Sequence, residues 1–161
     1  MKAKVNPKPI SARALSRSEI DWEEVNGYRV ARLATASARG KPLVVPVCFA
    51  RGKDAIYSVL DEKPKRVAAS RLRRARNILA NPQVCLLVDH YEEDWSRLAY
   101  ILVEGSAEVL SEEADPAEHA EALRLLRVKY PQYRAMRLAG RPVIRISPQR
   151  IITWKAASTA E

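Results

Sequence analysis

Five glycines are spread one at a time through the chain, at 27, 40, 52, 105 and 140. Isolated glycines cannot build a phosphate-cradling loop, so the fingerprints of dinucleotide-binding and P-loop folds are absent. Cysteine is scarcer still. Cys48 and Cys85 lie in the apolar runs VVPVCFA and VCLLVD, which predicts two reduced, buried thiols in a cytoplasmic protein. Together with the distant His90 and His119 they offer no metal-ligand spacing. No Gly-x-Ser-x-Gly, HExxH or CxxC occurs, and neither histidine has an evident triad partner. His119, within AEHAEA, reads as a solvated residue of a helix surface. No apolar run approaches the roughly 20 residues of a membrane span. The first residues, MKAKVNPKPISARALSRS, lack the apolar core of a secretory signal. Acid is missing where base is densest: KPKRVAASRLRRAR (63–76) holds seven Lys or Arg in fourteen residues and no carboxylate.

What remains is a chain of 161 residues, 47% apolar, with a net charge of +9. That length fits one domain that buries a core without disulfides or metals. The charge points to an anionic partner. Residues 1–17 are expected to form a basic arm, loose unless it docks. Residues 18–155 are expected to form the domain, and 156–161 a disordered tail.

Ser18 with Asp21 three residues on has the form of a capping box, which predicts a helix over 19–26 stopped by Gly27. YRVARLATA (28–36), LVVPVCFA (43–50) and AIYSVL (55–60) read as three strands joined by glycine-bearing turns, an antiparallel meander. Pro46 removes one ladder donor, so it belongs at an edge, a bulge or a ligand-facing gap. Ala68, Leu72, Ala75 and Leu79 then have the spacing of one buried helix face over 66–80. Arg66, Ser70, Arg73 and Asn77 fall on the other side, and Asn81-Pro82 ends the helix. VCLLVD (84–89) and LAYILVEGSAEVL (98–110) are strands four and five, with a bulge or bend at Gly105. Asp115-Pro116 opens a third helix whose buried stripe is Leu123, Leu126 and Tyr130. VIRIS and RIITW (143–154) make a sixth strand broken at Pro148. The fold class is therefore mainly β with helices (α+β): six mostly antiparallel strands closing into a barrel, which removes exposed edges.

The order of RVARLATASARGKPLVVPVCFA, YSVLDEKPKR, LRRARNILANPQVCLLVD, LAYILVEGSAEVL and KYPQY resembles one family. It is the flavin- and deazaflavin-binding split β-barrel family (the FMN-binding split barrel type) typified by pyridoxamine 5′-phosphate oxidase. The segments DEKPKR, RLRRARNI, ANP and LLVDHYEEDW are most similar to the branch that uses coenzyme F-420, an 8-hydroxy-5-deazaflavin. The resemblance implies a homodimer with the cofactor in the groove between subunits. It also implies hydride transfer to a conjugated small-molecule acceptor, the hard chemistry belonging to the cofactor. By resemblance Lys63, Lys65, Arg66 and helix arginines such as Arg73 meet the anionic groups. The ring slot has walls at Pro46–Val47 and Ser58–Val59, completed by the partner subunit's segment from Trp95 to Tyr100. Coenzyme F-420 spreads a phosphodiester, a lactyl carboxylate and a glutamate tail along a flexible chain. A row of cations suits that better than a single phosphate pocket does. Beyond Arg145 and Arg150 the chain lacks the C-terminal basic residues that hold a substrate phosphate in the family's oxidases, so that substrate is not carried over. No side chain is assigned as catalytic acid.

Two other readings use the same charge. Flavin mononucleotide would keep the fold and make the protein an FMN-dependent oxidase or reductase. A basic nucleic-acid-binding module would explain RLRRAR and the net charge. Against it stand an aromatic content of 6% and the absence of RNP, KH or zinc signatures.

Overall fold

The computed structural model describes residues 13–15, 21–61 and 72–156. Its main element is a sheet built by period-two burial. In β2 (Ala31–Ala36) residues 31, 33 and 35 point into the core while Arg32, Ala34 and Ala36 face out. A turn at Gly40, with φ of +73°, returns the chain into β3 (Pro42–Val47). β4 (Ala50–Arg51) and β5 (Ile56–Val59) follow, then the long strands β6 (Gln83–His90), β7 (Ala99–Leu110) and β8 (Val143–Lys155). A short β1 (Arg13–Leu15) pairs with residues 151–153 of β8. The strand order is β3-β2-β6-β7-β8-β5-β4, with β1 off this path, and every pairing is antiparallel. Among the described residues no ladder joins β3 to β4, so the sheet is curled and split rather than closed.

Among the described residues there are eight strands where six were expected. One extra strand is β1, which lies in the stretch assigned to a loose arm. The other arises because the run 43–50 is interrupted. The buried Tyr130 hydroxyl accepts the Phe49 N–H at 3.0 Å and reaches the Phe49 and Arg29 carbonyls at 2.9 and 3.0 Å. A ladder at Phe49 is thereby replaced by a side chain, and β3 ends before it. Pro46 sits opposite Arg32 on β3, a terminal strand of the path, where its missing donor costs little. The expected break at Pro148 is a bulge instead: the register runs Glu104↔Arg150, Gly105↔Pro148, leaving Gln149 unpaired. The expected irregularity at Gly105 is its other half. Cys48 and Cys85 are half-buried, with no disulfide between them, rather than fully buried; Cys85 alternates with the inward-facing Val84 and Leu86 and so lies on the other face of β6.

Among the described residues three α-helices flank the sheet. α1 (Trp22–Gly27) starts later than expected: Asp21, not Ser18, is the cap, accepting the Glu23 and Glu24 N–H groups at 3.0 and 3.1 Å. Ser18 itself lies outside the described residues. α2 (Arg73–Ala80) is the described part of the basic helix. It packs Ala75 and Ile78 inward, which rotates the buried face away from the predicted one. Leu79, assigned to that face, is 73% exposed, whereas Asn77, assigned to the polar side, is buried. Asn77 is tolerated there because its amide donates to Thr35 Oγ1 at 3.0 Å. α3 (Pro116–Lys129) is capped by Asp115 as expected. His119, however, is buried, not solvated. Its Nε2 lies 2.7 Å from the Arg141 carbonyl and must carry the proton, since a carbonyl only accepts. No helix among the described residues is long and apolar enough to cross a membrane.

The core has two parts. One fills the curl of the sheet around Leu33, Phe49, Ile56, Leu86, Val103 and Ile146. The other lies between α3 and β5, with Tyr57, Leu126, Tyr130, Tyr133 and Leu138. Lys129 lies near this second part. Its ammonium sits 3.6 Å from the Phe49 ring centroid and 3.3 Å from Asn26 Oδ1. Burial first, and then the neighbouring Arg29 cation, push its pKa down to about 8. A lysine with a depressed folded pKa binds its proton more weakly folded than unfolded. Stability therefore rises with pH between about 8 and the unfolded value near 10.4. Urea unfolding of wild type and Lys129→Met at pH 7 and pH 10 should show the wild type gaining on the variant at the higher pH. The cation–π contact opposes the penalty and keeps the gain to about 1 kcal/mol.

Candidate functional site

The ends of β3 and β5 lie side by side across the split in the sheet and enclose a cleft of about 260 Å³. Pro46, Val47 and Cys48 form one wall, and Ser58 and Val59 the other, with Val30 at the rim. The four wall residues expected from the sequence, Pro46, Val47, Ser58 and Val59, are thus brought together. The polar end is made by Asp61, Arg74 and Tyr133.

That polar end is tightly organised. The Tyr133 hydroxyl donates to Asp61 Oδ2 at 2.7 Å, and both residues are buried. Burial, then the Asp61 carboxylate and the Cys48 thiol, push the Tyr133 phenol far above its ordinary range, so it stays protonated and remains a donor. Arg74 comes from the inward side of α2. Burial lowers its affinity for the proton, while Asp61 and Tyr133 oppose that shift. Its Nε–H is buried and has no hydrogen-bond partner among the described residues. Apolar walls with one unsatisfied donor at the end fit a flat ring bearing an oxygen on its edge.

The other expected site residues are placed as follows. Lys63, Lys65 and Arg66 lie outside the described residues. Arg73 is exposed on α2 and does not line the cleft. Trp95, in the 3-10 turn Trp95–Arg97, is 73% exposed. Tyr100 is half-buried on the outer face of β7 and stacks on Trp154 with ring centroids 5.5 Å apart. Neither aromatic reaches the cleft of its own chain. Asp61, Arg74 and Tyr133 were missed from the sequence. Asp61 and Arg74 carried a weak signal, since Asp61 closely precedes the basic stretch and Arg74 lies within it. Tyr133 carried none, because its neighbour across the cleft is 72 residues away.

A second cavity of about 250 Å³ lies beside Trp22, Arg51, Lys53 and Asp54, where the Arg51 guanidinium caps the Trp22 ring at 4.6 Å. It presents a ring already covered by its own cation.

The model of the family described as pyridoxamine 5′-phosphate oxidase matches residues 22–155. The chain belongs to the pyridoxamine 5′-phosphate oxidase family. Solved structures of this family's fold superpose on it at low identity. A conserved hypothetical protein of Mycobacterium tuberculosis is 21% identical with a TM-score of 0.68, over 88% of this chain and 85% of that one. The heme storage protein HutZ of Vibrio cholerae is 18% identical with a TM-score of 0.67, over 87% and 96%. An FAD-binding protein of Mesorhizobium loti is 24% identical with a TM-score of 0.65, over 91% and 99%. Identities this low establish the shared fold alone. A search of curated proteins returns no match.

Proposed function

We propose that this chain is an oxidoreductase that binds the deazaflavin coenzyme F-420 and passes hydride to a conjugated small-molecule acceptor. It works as a homodimer with the cofactor in the groove between two copies. The observation that carries this reading is the cleft itself: two apolar walls from β3 and β5 converge at Asp61, where the chain turns into KPKRVAASRLRRAR. Lys63 follows Asp61 by two residues and Lys65 by four, so the covalent chain ties these cations to the cleft. A ring between the walls would leave its anionic tail on the basic side.

The bound coenzyme supplies the hydride. The chain's own residues hold the ring, exclude water from the cleft and keep the Tyr133 proton in place. The Mesorhizobium loti protein named as FAD-binding supports a flavin-type ring in this fold. HutZ raises heme as an occupant, but the two histidines here are engaged elsewhere: His119 with Arg141, and His90 with Glu92 at 2.8 Å. That favours the ring reading over an iron ligated by imidazole.

Fluorescence titration with oxidised coenzyme F-420 and, in parallel, flavin mononucleotide tests the reading at physiological salt. The expected result is a micromolar or tighter Kd for the deazaflavin and at least about tenfold weaker binding of flavin mononucleotide, about 1.4 kcal/mol. Preference for flavin mononucleotide would keep the cleft and change the coenzyme. Binding of neither, with tight nucleic-acid binding at the same salt, would overturn the oxidoreductase reading.

A further inference from the structure

The chain holds a second acid-free basic stretch. Residues 122–142, ALRLLRVKYPQYRAMRLAGRP, contain six Lys or Arg and no carboxylate. Lys129 turns inward onto Phe49. Arg124, Arg127 and Arg134 instead line an open groove of about 390 Å³ between α3 and the turn Pro131–Arg134. Ala120 and Val128 complete its lining. Ala120, Arg124, Arg127 and Val128 are spaced i, i+4, i+7, i+8, so one face of α3 presents all four. Val128 is 64% exposed there.

The three guanidiniums are held in place but not neutralised. Arg124 donates from Nε and Nη2 to Glu121 at 2.7 and 2.8 Å, which leaves its Nη1 donors for a further acceptor. Arg134 donates from Nε to the Arg127 carbonyl at 3.3 Å, which sets one cation beside the other. Among the described residues, Glu121 is the one carboxylate that pairs with any of the three. Like charges gathered this closely repel one another, and an anionic occupant relieves that repulsion. The planar fork of an arginine takes a carboxylate in two parallel hydrogen bonds.

The apolar part of the lining selects among anionic occupants. A nucleic-acid backbone brings no apolar group to cover Val128. Among the described residues no aromatic side chain lines the groove to stack a base. A concave trough cannot enter a duplex groove either, since that space admits a convex helix or ribbon. A second copy presenting the same groove would set arginine against arginine. A peptide with carboxylates on either side of an apolar residue matches both parts of the lining. We propose that this groove is a docking site for an acidic amphipathic segment of another protein. Its carboxylates meet Arg127 and Arg134, and its apolar side chain covers Val128. The surface is separate from the cleft, with which it shares no lining residue.

The test titrates the full chain, by fluorescence anisotropy at physiological salt, into labelled probes of defined chemistry. One is a peptide of repeated Glu-Glu-Leu. A second, of repeated Glu-Glu-Ser, has the same charge and no apolar side chain. Oligothymidylate and a short DNA duplex supply charge as phosphate. The Glu-Glu-Leu peptide should bind at least about tenfold more tightly than the Glu-Glu-Ser peptide, because its leucines leave water against Val128. Arg127→Glu should weaken it by about 10- to 100-fold, since a charge pair is lost and a like charge takes its place. Arg127→Lys should recover most of that loss. Val128→Ser should bring the two peptides to the same affinity. Both groove variants should bind coenzyme F-420 as wild type does. Melting curves check that each variant folds, and Arg134→Glu replaces Arg127→Glu if that variant does not.

Equal binding of the two peptides by wild type would overturn the proposal, because charge alone would then account for the contact. Equal affinity of wild type and Arg127→Glu for the Glu-Glu-Leu peptide would overturn it by placing the peptide elsewhere, and binding of neither peptide would overturn it outright. Tighter binding of oligothymidylate or duplex than of the Glu-Glu-Leu peptide, lost in Arg127→Glu, would assign the groove to nucleic acid instead.

Discussion

Gly105→Val should unfold the protein or lower its melting temperature by about 10 °C, corresponding to 3 kcal/mol or more at this chain length. Gly105 lies in the middle of β7, opposite the bulge in β8. A Cβ placed on it would overlap the Ser147 carbonyl oxygen and stand 3.1 Å from the Ser147 carbonyl carbon and 3.2 Å from Pro148 Cα. All three are backbone atoms, so no rotamer change can relieve the contact. The strands would have to separate at the point where β8 passes from pairing β5 to pairing β1. Overpacking of side chains alone costs about 1–3 kcal/mol, and a backbone collision should exceed the upper end. Thermal and urea unfolding measure it. A shift within about 2 °C of wild type would show that the β7–β8 pairing does not depend on close backbone approach.

Removal of both lysines of the helix lead-in, Lys63→Ala with Lys65→Ala, should weaken coenzyme F-420 by about 100- to 1000-fold. Each charge-assisted contact to phosphate or carboxylate contributes about 1.5–3 kcal/mol, and the two need not add fully. The loss should shrink as salt is raised, because screening weakens the same contacts in wild type. Lumiflavin, with no anionic tail, should bind the double variant as it binds wild type. Calorimetric titration at two salt concentrations measures all three effects. Unchanged affinity for the coenzyme would assign the basic lead-in to another partner, nucleic acid first among them.

Much of the sheet is legible in the sequence because period-two burial needs only local information: β2, β6 and β7 fall within a few residues of the predicted strands. The capped start of α3 is legible for the same reason, since Asp115 acts on Glu118 three residues away. What the sequence hides is decided at long range. β3 stops where it does because Tyr130, 81 residues away, binds the Phe49 backbone. His119 is buried because the Arg141 carbonyl needs a donor. The helix face rotates because Asn77 finds Thr35 42 residues back in the chain. In the cleft, the apolar walls follow from strand position, and all four were named from the sequence. The polar end needs three segments at once, Asp61 after β5, Arg74 on α2 and Tyr133 after α3, and no spacing along the chain announces that meeting. The periodicity of the whole stretch 66–80 puts position 73, rather than 74, opposite the apolar residues. The packing of Ala75 and Ile78 turns position 74 inward instead.

Amide hydrogen exchange with and without coenzyme F-420 tests the central claim most directly, because it locates the ligand rather than only detecting it. Slowed exchange is expected in residues 45–48, 56–61 and 72–78, which form the two walls and the polar end of the cleft, and along the basic lead-in between them. Protection confined to other surfaces, such as residues 116–128 of α3 or the loop around Arg51 and Lys53, would contradict the assignment of the cleft as the cofactor site.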